Sequence, residues 1–167
     1  MLVVTDTSPI NYLILIGYVD ILPVLHGDVV IPQAVARELR DPRTPEIVRQ
    51  WIDAPPLWCA IQSSQGPSDP ALAYLGDGEC EAIMLCQELH ADALLTDDTE
   101  AYDEAQARGI AVIRTLALLE KAALQGLLDL PTAIARLQGT TFYAQAQVIN
   151  AMLARYAAEN PLRPPEP

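Results

Sequence analysis

The chain has 167 residues, 51% of them apolar, which is enough for one domain with a packed core and excludes global disorder. Its net charge of −12, with nine arginines and the single lysine Lys121, excludes a basic face that grips nucleic acid by bulk electrostatics. No apolar run reaches bilayer length, and the start MLVVTD lacks a basic stretch and a small-residue cleavage site, so a cytoplasmic protein without membrane contact is expected.

In chain order, residues 2–5 (LVVT) are short, apolar and β-branched and predict a buried strand. Asp6-Thr7-Ser8-Pro9 ends it; Ser8 suits a helix cap and Pro9 a first helical position, so a helix is expected through Ile16, with Gly17 as its stop. Residues 18–25 predict a short helix containing Pro23, residues 28–31 (DVVI) a second strand, and Pro32 opens a helix through Leu39 that Asp41-Pro42 stops. Residues 45–53 predict a helix and residues 57–61 an edge strand, placed at the edge by Pro55-Pro56. A loop, a helical turn over 70–75 and the turn Gly76-Asp77-Gly78 lead into a helix over 79–90. Residues 93–96 (ALLT) predict a strand ending in Asp97-Asp98, followed by a helix over 99–108 closed by Gly109, a strand over 111–113, and helices over 116–125 and 131–137. The last helix, over 142–156, carries Phe142, Ala146, Ile149, Leu153 and Tyr156 at helical spacing, and a frayed tail is expected beyond it. The divisions expected are residues 1–140 as the main domain, 141–158 as a C-terminal amphipathic helix and 159–167 as a disordered tail.

Strands separated by helices imply a parallel sheet with right-handed crossovers and helices on both faces, an α/β/α sandwich. Ligands bind such folds beyond the carboxyl ends of the strands. Asp6 follows the first strand and Asp97-Asp98 the fourth, so both ends fall on that edge. Glu79 and Glu81 lie in the first turn of a helix, and Glu38 follows the inward-facing Val35. Each acid alone is explained as a cap or turn residue. Several that converge need a counter-charge, because two carboxylates ~5 Å apart repel by roughly 3 kcal/mol at an effective dielectric near 20. Hard oxygen ligands without His or Cys select Mg²⁺ or Mn²⁺, and the matching chemistry is phosphodiester hydrolysis. Glu79 and Glu81 stand about 200° apart around a helix, so periodicity leaves open which of them is the ligand. His26 and His90 are too isolated for an imidazole site, and Cys59, Cys80 and Cys86 have no metal-binding spacing and read as buried thiols.

The segments VVTDTSP, VARELR, GDGECEAI, LLTDD and VIRTLALLEKA together, in order over residues 2–140, resemble the PIN domains, in the bacterial and archaeal branch akin to VapC-type toxins. That resemblance implies a three-layer α/β/α fold and an acidic quartet at Asp6, Glu38, Glu81 and Asp98, with Glu79 and Asp97 beside it and the hydroxyl of Ser8 in support. It implies a Mg²⁺- or Mn²⁺-dependent endoribonuclease acting on RNA, frequent homodimers and, for toxin members, a small antitoxin partner. In one respect the chain departs from the branch: bases that often follow the paired aspartates are replaced by Thr99 and Tyr102. Arg37, Arg40, Arg43 and Arg108 then remain as candidate RNA contacts. A phosphoacceptor receiver lacks its second acid after the first strand here, a haloacid-dehalogenase-like phosphatase its DxD start, and a nucleotide-binding module its glycine-rich loop. The alternative from another class is a PIN-like scaffold that binds protein with weak or no nuclease activity, which the acidity favours and the complete set of acids disfavours.

Overall fold

The computed structural model describes residues 1–160, so the tail expected over 159–167 lies, apart from its first two residues, outside the described residues. Five parallel strands, β1 (Leu2–Thr5), β2 (Asp28–Pro32), β3 (Cys59–Gln62), β4 (Ala93–Leu95) and β5 (Val112–Ile113), form one sheet in the order β3-β2-β1-β4-β5. Between and after them run α1 (Thr7–Leu15), α2 (Ile21–His26), α3 (Gln33–Leu39), α4 (Glu46–Asp53), α5 (Asp77–Glu88), α6 (Thr99–Ala107), α7 (Thr115–Leu124), α8 (Leu130–Gln138) and α9 (Ala146–Glu159), with a 3₁₀ turn at Pro70–Leu72.

Strand periodicity divides the core. Val3, Val29, Ile31, Ala93 and Leu95 face one layer, built from α1 to α4 and α7 to α9. Val4, Val30 and Leu94 face the other, where α5 supplies Ala82, Ile83, Leu85 and Cys86 and α6 supplies Ala105. Successive strand residues point to opposite faces, so a strand covered on both sides is apolar throughout, which is why LVVT and ALL read as continuous runs. The three-layer α/β/α fold expected from the sequence is the one observed, with β3 at an edge.

Two element boundaries differ from expectation for local reasons. Asp6 rather than Ser8 caps α1: its carboxylate accepts from the Thr7 N–H at 2.6 Å, so the helix begins one residue before Ser8. The last helix starts at Ala146, not at residue 142; Phe142 instead meets Tyr12 edge-on at 5.1 Å, while Ile149, Met152 and Tyr156 of α9 are buried in the same core as β1. This helix therefore serves the core, and it packs on α7 and α8. No helix among the described residues is long and apolar enough to cross a membrane.

Of the three thiols, Cys59 and Cys86 are buried, and burial pushes both up to about 12, so they behave as small apolar side chains. His26 ends α2 with its ring 2% exposed and neither nitrogen hydrogen-bonded. Burial, followed by the charges of Lys121 and the N-terminus, lowers its pKa below 6.5. The unfolded chain then takes up the proton first, so stability is retained above the unfolded value and lost as pH falls from about 6.5 toward the lowered native value. Replacing His26 with Leu should flatten this acid limb in a series of melts between pH 7.5 and 5, whereas an unchanged limb would show that the imidazole takes up its proton equally in the folded and unfolded states.

Candidate active site

Residue pairing sets the geography. Thr5 lies beside Leu95, and Leu95 beside Ile113, so the next residues, Asp6, Thr96 and Arg114, stand level at the carboxyl edge. Asp6 is 2% exposed. Its N–H extends the ladder to the Leu95 carbonyl at 2.9 Å, and its two carboxylate oxygens accept from the Thr7 N–H and the Thr96 hydroxyl, the latter at 3.0 Å. Despite these donors its pKa is raised to about 7, by burial first and then by the charge of Glu79, with Glu38 adding to it.

The remaining acids form a rising wall around Asp6. Glu79 is half-buried and its pKa is raised by burial and by the charges of Glu38, Asp98 and Asp77. Its carboxylate folds over Gly76, where a Cβ would collide with Oε2. Glu38 is exposed at the rim and accepts a short hydrogen bond from the Thr7 hydroxyl. Gly78 presses against it: an added Cβ would stand 2.9 Å from Glu38 Oε1 and 3.1 Å from Val35 Cγ2, so only glycine lets the first turn of α5 sit this close to α3. Asp98, also exposed, caps α6 through Oδ1 to the Ala101 N–H at 2.8 Å, leaving Oδ2 for another partner. Asp6, Glu38, Glu79 and Asp98 are thus brought together, and each is an oxygen donor that could hold a cation.

Glu81 and Asp97 are engaged elsewhere. Glu81 Oε2 accepts from the Ala34 N–H at 2.6 Å and Oε1 from the Ser64 N–H at 3.2 Å. Pro32, at the cap position of α3, has no side-chain donor or acceptor to satisfy that helix, and Glu81 takes over from another element. Of the two glutamates that periodicity left open, Glu79 lies among the charges of Asp6, Glu38 and Asp98, while both Glu81 oxygens accept from backbone N–H groups. Asp97 holds the start of α7, accepting from the Thr115 N–H at 2.9 Å and its hydroxyl at 2.6 Å. Burial raises its pKa against these bonds. The supporting hydroxyl is also reassigned: Thr7 touches Glu38 and Thr96 touches Asp6, while among the described residues no hydrogen bond joins Ser8 to the acids.

Three of the four arginines proposed for RNA contact are occupied. Arg40 pairs with Asp53 at 2.9 Å, Arg43 with Asp41 at 2.9 Å, and Arg108 with Asp69 at 2.7 Å and Glu104 at 2.6 Å. Arg37 is exposed and borders a cleft of about 380 Å³ that it shares with Ser64, Asp77, Cys80 and Glu81. Sequence reasoning missed Arg114, whose guanidinium lies 4.6 Å from the centre of the Tyr102 ring. The available signal was its place directly after β5, on the edge already occupied by Asp6 and Asp98.

A protein-family model described as PIN domain matches residues 2–158. Among solved structures, the chain is similar to a PilT N-terminus domain protein from the hyperthermophilic archaeon Sulfolobus solfataricus P2, with 16% identity and a TM-score of 0.50 over 87% of this chain and 100% of that one. At that identity the likeness speaks for the fold. No curated protein matches the chain. With the family match running from the first strand to the last helix, the chain belongs to the PIN-domain family, whose fold is generally that of a nuclease.

Proposed function

We propose that this protein is a ribonuclease that uses Mg²⁺ or Mn²⁺ held by Asp6, Glu38, Glu79 and Asp98. The observation that carries the reading is Glu79. It is half-buried among three other acids, its pKa is raised, and no arginine or lysine pairs with it among the described residues. Asp6, Asp97 and Glu81 each have a structural reason to be acidic, since each accepts from backbone N–H groups. Glu79 has only its own backbone N–H and its place in the first turn of α5 to set against burial and three neighbouring charges, and a cation would offset the remaining cost.

The donor set fits a hard cation. All four groups offer oxygen and none offers nitrogen or sulfur. Among the described residues no three His, Cys, Asp or Glu side chains stand close enough together to hold a metal ion by themselves. An ion such as Mg²⁺, which dehydrates reluctantly, would be held directly by one or two of the four carboxylates, with the others reached through its waters. When bound, the ion would supply Lewis-acid stabilisation of phosphoryl charge and make water acidic enough to attack near neutral pH. The chain's own part is to position and to hold protons. Thr7 fixes Glu38, Thr96 fixes Asp6, and the Ala101 N–H fixes Asp98 Oδ1 so that Oδ2 faces outward. Asp6, its pKa raised to about 7, would hold a proton near neutral pH and release it if a cation bound beside it.

The resemblance to VapC-type toxins extends this reading to a homodimer with a small antitoxin partner, for which a small open reading frame beside the gene is the first check. The metal reading is tested by melting with and without Mn²⁺. At a hundred-fold excess over Kd the ion should add about 2.7 kcal/mol, roughly 5–10 °C for a domain of this size. The shift should disappear in Glu79→Gln, and chelation should stop cleavage of mixed RNA. Cleavage that survives chelation would sink the metal mechanism.

A further inference from the structure

We infer that Arg114, seated on Tyr102, is the cation that binds the RNA phosphate flanking the scissile bond; this rests on the ribonuclease reading above. The site otherwise has the wrong sign for its substrate. It is walled by carboxylates, and the chain as a whole carries −12, so a phosphodiester approaching it needs a local positive group. Arg114 stands in the right place by register. It follows Ile113 as Thr96 follows Leu95 and Asp6 follows Thr5, which puts it at the height of Asp6 two strand spacings away, or roughly 10 Å. That is beside the acids rather than among them, so its reach is to a neighbouring phosphate and not to the reacting one.

Its surroundings prepare it for that task. The guanidinium lies 4.6 Å from the centre of the Tyr102 ring, on α6, whose cap is Asp98. One nitrogen donates to the Asp97 carbonyl at 3.3 Å. A ring beside the planar group restrains its rotation, and the charge of Asp97 lies near it without an ion pair, so the nitrogens not spent on the Asp97 carbonyl remain for forked binding of a phosphate. Arg40, Arg43, Arg108 and Arg155 are by contrast each ion-paired with a carboxylate. Arg136 provides an internal control: it also sits over a tyrosine, Tyr18 at 5.1 Å, but there it donates to the Ile16 carbonyl beyond the last turn of α1.

The test uses the full chain, Mn²⁺ and a fluorescent single-stranded oligoribonucleotide of mixed sequence. Arg114→Ala should raise KM about ten-fold with little change in kcat, and should reduce the salt dependence of RNA affinity by about 0.7 in the slope of log K against log salt, the loss of one phosphate contact on a single strand. Tyr102→Ala should follow it in part, Tyr102→Phe should behave as wild type, and Arg136→Ala should leave KM unchanged. The Mn²⁺-induced rise in Tm should be the same in Arg114→Ala as in wild type, which shows that the variant is folded and its metal site intact. A wild type that cleaves RNA beside an Arg114→Ala variant with unaltered KM and salt slope overturns the inference alone. A wild type that gives the Mn²⁺ shift yet neither binds nor cleaves RNA overturns the ribonuclease reading and the Arg114 assignment with it.

Discussion

Asp6→Asn should abolish cleavage and stabilise the metal-free protein. The loss of activity is expected to be at least about 100-fold, since removing even a partner behind a metal ligand costs up to that much. The gain follows from the buried carboxyl. Its native pKa of about 7 lies well above the 3.8 of a free aspartate carboxyl, and every pH step of one between them corresponds to about 1.4 kcal/mol. The sign is that of a raised acid: both states are protonated below about pH 4, and ionising the native carboxyl costs progressively more up to about pH 7, beyond which the cost is constant at about 4 kcal/mol. Asparagine keeps the shape and the acceptor for the Thr7 N–H without the charge. The metal-free variant should therefore melt several degrees above wild type at pH 8 and close to it at pH 4. Equal melting at both pH values would mean that Asp6 is already neutralised in the wild type by something other than a proton.

The two glutamates of α5 should separate stability from activity. Glu81→Ala removes the acceptor for the Ala34 and Ser64 N–H groups and leaves both without a partner in a partly buried place. At about 1–3 kcal/mol for each unsatisfied donor, the two together cost about 2–6 kcal/mol, and Tm should fall by roughly 4–24 °C. Glu79→Gln should leave the fold as stable as before or more so, because it takes one charge out of a repelling group, and it should lose the response to Mn²⁺. A Glu79→Gln enzyme that cleaves normally, paired with a Glu81→Ala enzyme that is stable but inactive, would return the quartet to Glu81.

The fold was readable because its strands are covered on both faces and appear as apolar runs separated by helical patterns and turn residues. The acids at strand ends were readable for the same reason, since register turns a strand's last residue into a place on the edge. The choice between Glu79 and Glu81 was not, because the deciding partners come from elsewhere in the chain: Ala34 is 47 residues from Glu81, and Ser64 is 17. The arginines were legible only in part: Arg43 pairs with Asp41 two residues away and Arg108 with Glu104 at i,i+4, both local patterns, whereas the bond from Arg108 to Asp69 spans 39 residues. Arg114 was hidden in the opposite sense: it lies within the segment VIRTLALLEKA, but only the short ladder between β4 and β5 sets it level with Asp6.

The capping roles of the acids change what their persistence means. Asp6 starts α1, Asp98 starts α6, Asp97 holds α7 and Glu81 holds α3. In a copy that performed no catalysis, Asp97, Asp98 and Glu81 would still be kept by the helices they hold, whereas an amide at position 6 would serve the fold better than the acid. An intact-looking trio in such a lineage would record the demands of folding. Glu79, buried beside three other charges, would drift together with Asp6, and the loss of both would mark a silenced copy.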